Sequence, residues 1–234
     1  LNVFQQSRFA PYFEKIKEII ASGVLGRLYQ VSISFNGFSR RWDWQCSQRM
    51  GGGNLLNTGP HPMDQALDLL GFDERTSLAF SKMDKVNTSG DAEDYCKVIL
   101  TAPDKPIVDI EISSCCAYSP YIYVIHAKYG SLCATADRIQ YKYYDHAQPQ
   151  PALQLEPLSD AGGHPVYCSE KLEWHEFDIP VTGSVFREGT KKYYDMIFDN
   201  LVHGTKMAIE PWQSMLQIGL SEQAHIDNPM PILF

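Results

Sequence analysis

The strongest constraint on the fold is a succession of six β-type runs between residues 76 and 181. The runs are rich in β-branched and aromatic residues, and short turns such as residues 87–90 and 103–106 separate them. No stretch with the length and periodicity of a helix lies between them. Because strands that follow one another without a crossover helix pair antiparallel, the sequence predicts one large, open, mostly antiparallel sheet.

Helical patterns lie on both sides of these strands. Apolar spacing predicts a helix over residues 12–22, a strand over about residues 27–37 and a helix that ends at Gly71. Two further helices are predicted, one over residues 189–204 and one after Pro211. The Pro- and Gly-rich segment 145–166 is an excursion loop, since β-type sequence continues beyond it. We therefore expect a single α+β domain over residues 1–234, with helices packed on one face of the sheet.

Composition limits the classes of function. The net charge is −8 without a basic cluster, so no nucleic-acid surface is expected. No apolar run approaches the roughly 20 residues that span a bilayer, and the first residues lack a signal-peptide pattern, so no membrane association is expected. The six cysteines form no CxxC pair, which favours reduced thiols in a cytoplasmic protein. Because the first residue is Leu1, we expect the chain to be a trimmed or internal piece of a longer protein.

The stretch "GGGNLLNTGPHPMDQALDLLG", residues 51–71, opens with three consecutive glycines. A dinucleotide fingerprint needs spaced glycines between a strand and a helix of a βαβ unit, and these glycines follow a polar loop. The sequence also contains no GxxxxGK[ST] motif. We therefore expect no cofactor site in this chain, and we interpret the glycines as residues that permit a sharp turn or a close backbone approach.

Asn57, His61 and Asp64 form a polar stripe at helical spacing in the same stretch. Pro60 and Pro62 suit a first turn, so the helix is expected to begin near Thr58, with Asn57 or Thr58 as its cap. Asp64, at i+3 from His61, can hold one imidazole nitrogen and leave the other free for general acid/base catalysis. The structural alternative is a cap and a paired histidine. A metal site is a third possibility, although H-x-x-D supplies few ligands.

The loop before the glycines carries Arg40, Trp42, Asp43 and Trp44. Indole faces combined with charged hydrogen-bonding groups suit a sugar site. The alternative is that both tryptophans anchor the loop on the core while the arginines are solvated.

These stretches, with "QQSRFAPYFEKIKEIIASGVLGRL" before them and "FSRRWDW" between, resemble the Gfo/Idh/MocA oxidoreductases, the relatives of glucose–fructose oxidoreductase and inositol dehydrogenase. The resemblance covers nearly the whole chain and is to the C-terminal domain only. It implies a partner N-terminal Rossmann domain, absent from this chain, that binds NAD or NADP. It further implies hydride transfer to or from a sugar, a polyol or a related hydroxyl compound.

The resemblance also assigns roles to residues. It implies that His61 is the catalytic acid/base, oriented by Asp64, and that Asn57 stands where the family often has Asp. Arg8 lies near the expected domain junction and is a weaker substrate candidate, with a cap or surface role as its alternative. The family's Glu-Lys-Pro motif is expected before Leu1, so this chain alone is expected to be inactive.

The resemblance implies a homodimer or homotetramer as well. We expect assembly through the open face of the sheet, on which Ile110, Ile112 and Val124 are predicted to lie. Two alternatives to the enzyme remain, namely a non-catalytic binding or scaffold relative and a metal-dependent sugar enzyme that uses His61 and Asp64.

Overall fold

The computed structural model describes residues 1–233 and has one large sheet at its centre. The strands are β1 (Leu28–Asn36), β2 (Ser77–Asp84), β3 (Tyr95–Thr101), β4 (Ile107–Ser113), β5 (Tyr123–Ala127), β6 (Gly130–Ala134), β7 (Arg138–Tyr144), β8 (Leu158–Ser159), β9 (Pro165–Val166) and β10 (Trp174–Pro180). Eight of them form the sheet in the order β10-β7-β6-β5-β1-β4-β3-β2. The predicted fold class, a mostly antiparallel open sheet with helices, is confirmed.

Strand β1 explains the one departure from antiparallel pairing among the described strands. It lies between β4 and β5, and it pairs parallel to β4 and antiparallel to β5. The remaining strands follow one another as neighbours on either side, as sequential strands without crossover helices should.

The helices are α1 (Pro11–Ala21), α2 (Asn54–Asn57), α3 (Pro60–Leu69), α4 (Val185–His203) and α5 (Pro211–Asp227). The predicted helices over 12–22, 189–204 and after Pro211 are confirmed, and α4 begins four residues earlier than predicted. Helix α5 begins with a capping box between Glu210 and Gln213. No helix within residues 1–233 combines the length and apolarity that a bilayer crossing requires.

The core lies between the sheet and the helices. Alternate residues of the central strands, such as Val31 in β1 and Val108 in β4, are fully buried together with Phe13 of α1 and Leu67 of α3. Alternation along a strand sends the intervening residues to the opposite, open face.

The predicted position of two isoleucines on the open face is wrong. Ile110 and Ile112 are 0% and 2% exposed and belong to the core, because Asp109 and Glu111 of the same strand occupy the other face. Val124 alternates with buried neighbours in β5 and does lie on the open face.

The excursion loop predicted over residues 145–166 carries a short hairpin, β8–β9, that is exposed along its length. Strand β10 follows it and rejoins the sheet beside β7.

Candidate active site

The glycine segment enters α2 by a close backbone approach. A Cβ atom on Gly52 would lie 2.4 Å from the carbonyl oxygen of Gln45. On Gly53, whose φ of 114° already favours glycine, a Cβ atom would lie 2.1 Å from Oε2 of Glu93. The interpretation of the glycines as a tight turn is therefore confirmed at these two positions.

Glu93 lies against the glycine segment, beside Gly53. Its buried carboxylate accepts a hydrogen bond from the backbone N–H of Leu55 at 2.8 Å, in the first turn of α2. Burial raises the pKa of Glu93 above its ordinary value, and the backbone hydrogen bonds oppose that rise. A carboxylate against the glycine turn repels a pyrophosphate, so the residues of this segment do not fit the phosphates of a nicotinamide cofactor.

His61 stands in the first turn of α3, between Pro60 and Pro62. Its side chain is half-buried, and Nδ1 is buried without a hydrogen-bond partner in the described part of the chain. Burial lowers the pKa of His61 below its ordinary value of 6.5. The imidazole is therefore held in its neutral form near pH 7, and this is the form that accepts a proton.

Asp64 does not orient His61. Both of its carboxylate oxygens accept hydrogen bonds from Arg8, at 2.9 Å from Nε and at 2.5 Å from Nη2. The predicted pairing of Asp64 with the imidazole is wrong, because the buried guanidinium of Arg8 takes the carboxylate instead. Burial raises the pKa of Asp64, while the hydrogen bonds and charge of Arg8 lower it in part.

Arg8 is an internal residue. It also donates to the carbonyl oxygen of Ala208 at 2.8 Å and to Oε1 of Gln213 at 2.7 Å, and its guanidinium lies 4.4 Å from the centre of the Phe72 ring. Its side chain is 3% exposed, so neither the predicted substrate contact nor a surface role is available to it. Arg8 instead joins the N-terminal segment to α3 and to the start of α5.

Asn57 faces the loop that precedes the glycines and carries Arg40, Trp42, Asp43 and Trp44, which we call the aromatic loop. Its side-chain amide pairs with that of Gln45 through two hydrogen bonds. Nδ2 of Asn57 donates to Oε1 of Gln45, and Nε2 of Gln45 donates to Oδ1 of Asn57, both at 3.0 Å. The predicted cap at Asn57 or Thr58 is wrong, because α2 ends at Asn57 and Gly59 precedes α3 without a side-chain cap. The helix predicted to begin near Thr58 begins at Pro60 as α3, and the separate short helix α2 precedes it. Gln45 of the same loop belongs to the site, because its amide holds that of Asn57.

The aromatic loop projects its indoles into solvent. Trp42 is 87% exposed and Trp44 is 57% exposed, so the alternative that these rings anchor the loop on the core is wrong. Asp43 accepts from Arg41 at 2.6 Å and from the backbone N–H of Gln45 at 3.0 Å, which fixes the start of a short 3₁₀ turn. Arg40 is exposed, as expected of a solvated residue.

A cavity of about 470 Å³ lies beside α2, where β1 and β4 end. Its lining includes the polar side chains of Ser34, Asn36, Asn54, Thr58, Ser113 and Tyr121. None of these residues was predicted to bind a ligand, and Thr58 was predicted only as a helix cap. The available signal was the cluster of hydroxyl and amide side chains at the ends of two strands, which becomes visible only once β1 and β4 are known to be neighbours.

Within residues 1–233, no three or more His, Cys, Asp or Glu side chains are grouped in a way that would hold a metal ion. The groups that the structure does provide are the half-buried imidazole of His61 at the start of α3, the amide pair of Gln45 and Asn57, and the exposed indoles of the loop that carries Gln45. These groups can accept a proton and contact a hydroxylated ligand.

Comparison with known proteins agrees with this architecture. The GFO/IDH/MocA C-terminal domain matches residues 13–133. The chain is 26% identical to the uncharacterized oxidoreductase YdgJ of Escherichia coli over 133 residues, which are 56% of this chain and 37% of that protein. It is 28% identical to the uncharacterized oxidoreductase C115.03 of Schizosaccharomyces pombe over 108 residues, which are 45% of this chain and 29% of that protein.

Solved structures share the fold. An NAD-binding protein from Listeria innocua superposes with a TM-score of 0.73 at 17% identity, over 99% of this chain and 66% of that one. An oxidoreductase from Bacillus cereus superposes with a TM-score of 0.69 at 16% identity, over 95% of this chain and 64% of that one. Our chain thus spans less than two thirds of these proteins and about a third of the curated relatives.

The chain belongs to the GFO/IDH/MocA C-terminal domain family, a family of oxidoreductases. The resemblance drawn from the sequence is therefore confirmed.

Proposed function

We propose that this chain is the substrate-binding, oligomer-forming C-terminal domain of an NAD- or NADP-dependent oxidoreductase that acts on a sugar, a polyol or a related hydroxyl compound. The observation that carries the proposal is the state of His61. Its imidazole is half-buried at the start of α3, its Nδ1 lacks a hydrogen-bond partner among the described residues, and burial lowers its pKa. A histidine that only stabilised the helix would be expected to satisfy its buried nitrogen.

The proposed role of His61 is to move the hydroxyl proton. When a carbinol is oxidised, hydride leaves the carbon, the hydroxyl proton leaves the oxygen and a carbonyl forms; a bound nicotinamide supplies the hydride acceptor. Neutral His61 accepts the proton, and the imidazolium returns it in the reverse direction. The nicotinamide is proposed to bind to a separate nucleotide-binding domain, since Glu93 makes the glycine segment unsuitable for its phosphates.

Other residues are proposed to position the substrate. The exposed indoles of Trp42 and Trp44 offer apolar faces to a sugar ring. In the same loop, Asp43 lies between the two tryptophans and Arg40 precedes them in the sequence. Asn57 retains a free N–H and a free lone pair beyond its pair with Gln45, so it can contact a substrate hydroxyl.

The open face of the sheet is proposed as the surface of a homodimer or homotetramer. Support comes from Phe80 and Ile107, which are 50% and 49% exposed on that face. Lys97 on the same face lies 2.7 Å from Asp109 and 3.5 Å from Glu111, so charged groups there are already paired within the chain. Light scattering should give a mass of at least a dimer, and a monomer at tens of micromolar would contradict the proposal. The six cysteines, all unpaired, support a cytoplasmic location.

The test of the function uses the full-length protein that contains this chain. Sugars and polyols are screened with NAD and with NADP while nicotinamide absorbance is followed, and turnover of at least one compound is expected. In calorimetry, the isolated chain should not bind NADH or NADPH. A micromolar dissociation constant would contradict the proposal that the nicotinamide binds to a separate domain. Sugar binding without turnover of any compound would favour the non-catalytic relative.

A further inference from the structure

Residues 149–171, which we call the arm, connect β7 to β10 and lie outside the core. Every residue of the arm is exposed, and its hairpin β8–β9 has only two residues in each strand. A two-stranded hairpin is at best marginally stable in water by itself. The arm nevertheless exposes large apolar side chains, namely those of Leu153, Leu155, Leu158, Val166 and Tyr167. A segment with these properties is suited to dock on another surface.

The arm forms a cleft of about 700 Å³, and all of its described lining residues belong to the arm itself. Leu153, Leu155 and Tyr167 contribute apolar walls. The charged residues of the lining are Glu156 and Glu170, and neither carboxylate forms an ion pair within residues 1–233. A cleft with apolar walls and two unpaired carboxylates fits an aromatic side chain that has a cation beside it.

The aromatic loop presents such a pair of groups. Trp42 is 87% exposed, and Arg40 lies two residues before it. Arg41 is paired with Asp43 at 2.6 Å, whereas the side chain of Arg40 has no hydrogen bond or ion pair in the described part of the chain. The loop therefore offers an indole and an uncompensated positive charge, which complement the cleft of the arm.

Within one chain, the arm and the aromatic loop leave the sheet at opposite edges. Strands β1, β5, β6 and β7 are successive antiparallel neighbours, so the end of β7 lies at the edge where β1 begins. The arm follows the end of β7, and the aromatic loop follows the end of β1. Their departure points are thus separated by the length of β1, which is about 30 Å at roughly 3.3 Å per residue.

A second copy of the chain removes this separation. When the open faces of two sheets pack together, a two-fold axis that crosses the strands reverses their direction in the partner. The arm of one copy then projects at the edge where the aromatic loop of the other leaves its sheet. The lateral offset from β7 to β1 is about 14 Å, and each limb of the arm can extend to about 35 Å, so the arm is long enough.

We propose that the arm of one copy docks on the aromatic loop of a second copy of this chain, with the Trp42 indole against the cleft and Arg40 beside Glu156 and Glu170. The inference rests on the homodimer or homotetramer of the proposed function. It adds the contact that orients the two copies, and it places an arm of the partner beside the loop that is proposed to contact the substrate.

The first experiment reverses one charge on each side of the contact in the full-length protein. Sedimentation velocity over a dilution series gives the dissociation constant of the dimer. Arg40→Glu and Glu156→Arg should each weaken the dimer by roughly tenfold or more, because each homodimer then faces like charges at both contacts. Glu222→Arg, which reverses an exposed charge on α5, is the matched control and should leave the dissociation constant unchanged.

Mixing the two variants shows whether the contact joins different chains. In a mixed dimer, the loop of the Arg40→Glu chain meets the arm of the Glu156→Arg chain, and the other contact keeps its native charges. An equimolar mixture should therefore dimerise nearly as tightly as wild type. A mixture that dimerises no better than either variant by itself would overturn the proposal, since the arm would then dock on its own chain. A loss in Glu222→Arg equal to that in Glu156→Arg would overturn it as well.

Removal of the arm is the second experiment. Replacement of residues 149–171 by a short Gly-Ser linker should leave the circular dichroism of the domain nearly unchanged, because all of these residues are exposed, and it should weaken the dimer. A dimer as tight as wild type would overturn the proposal and leave the proposed function standing. A dimer that depends on the arm, combined with no turnover of any compound, would support the docking and contradict the proposed catalytic function alone.

Discussion

Arg8 and Asp64 form a bidentate ion pair that is closed to solvent, with side chains 3% and 0% exposed. The pair joins the segment before α1 to the helix that carries His61, and further bonds from Arg8 extend it to Ala208 and Gln213 near the start of α5. Because both carboxylate oxygens of Asp64 accept hydrogen bonds from Arg8, the pair fixes the position of α3 and does not fix the tautomer of His61.

Breaking this pair should destabilise the domain strongly. Arg8→Ala leaves a buried, uncompensated carboxylate, and the expected cost is about 3–5 kcal/mol in the free energy of unfolding. The double variant Arg8→Met with Asp64→Leu should recover most of that loss, since apolar residues of similar size can replace a buried pair.

Urea unfolding followed by circular dichroism measures the loss. Arg138→Ala removes an arginine from an exposed pair with Asp178 and is the matched control, with a midpoint expected to stay close to wild type. If the urea midpoint of Arg8→Ala were as high as that of Arg138→Ala, the buried pair of Arg8 and Asp64 would not contribute to the stability of the domain.

The amide pair of Gln45 and Asn57 should couple the aromatic loop to α2. Gln45→Ala and Asn57→Ala each remove both reciprocal hydrogen bonds, so their effects on unfolding free energy should not add. A coupling energy of about 1–2 kcal/mol is expected from two neutral hydrogen bonds between half-buried groups.

The matched control cycle combines Gln45→Ala with Gln223→Ala, a position in the exposed part of α5, and should be additive within about 0.5 kcal/mol. Additive effects of Gln45→Ala and Asn57→Ala would mean that the loop and the helix are independent in solution.

His61 should make the stability of the domain depend on pH. Its pKa in the folded chain is lowered from 6.5, so the unfolded chain binds more protons in the interval just below that value. The free energy of unfolding should therefore be fully retained above about pH 7 and should fall as the pH drops below about 6.5.

The same experiment on His61→Gln, which cannot titrate, isolates this contribution. The difference between variant and wild type should change with pH below about 6.5 and should be constant above about pH 7.5. A difference that is the same at pH 5 and pH 8 would contradict the burial-lowered pKa.

The sequence predicted the elements better than it predicted their contacts. Strand alternation and turn residues were sufficient to predict the strands of the sheet, because both signals come from residues that are close together in the sequence. The insertion of β1 between β4 and β5 depends on long-range packing, and this insertion created the cavity that the sequence analysis missed.

Site residues show the same limit. Spacing placed Asp64 three residues from His61, but spacing carries no information on which other charge is buried nearby. Arg8 reaches Asp64 from outside the helix, and an arginine that is 3% exposed cannot leave the carboxylate free for the imidazole. The exposure of Trp42 likewise follows from the path of the loop and not from its composition.

The most direct test of the central claim is the kcat of His61→Ala in the full-length protein, measured on a substrate found by the screen. The account predicts that kcat falls by about 10²–10⁴, the usual contribution of a general base, while affinity for the nicotinamide cofactor stays unchanged. A His61→Ala enzyme with kcat close to the wild-type value would contradict the assignment and would leave His61 as a structural residue at the start of α3.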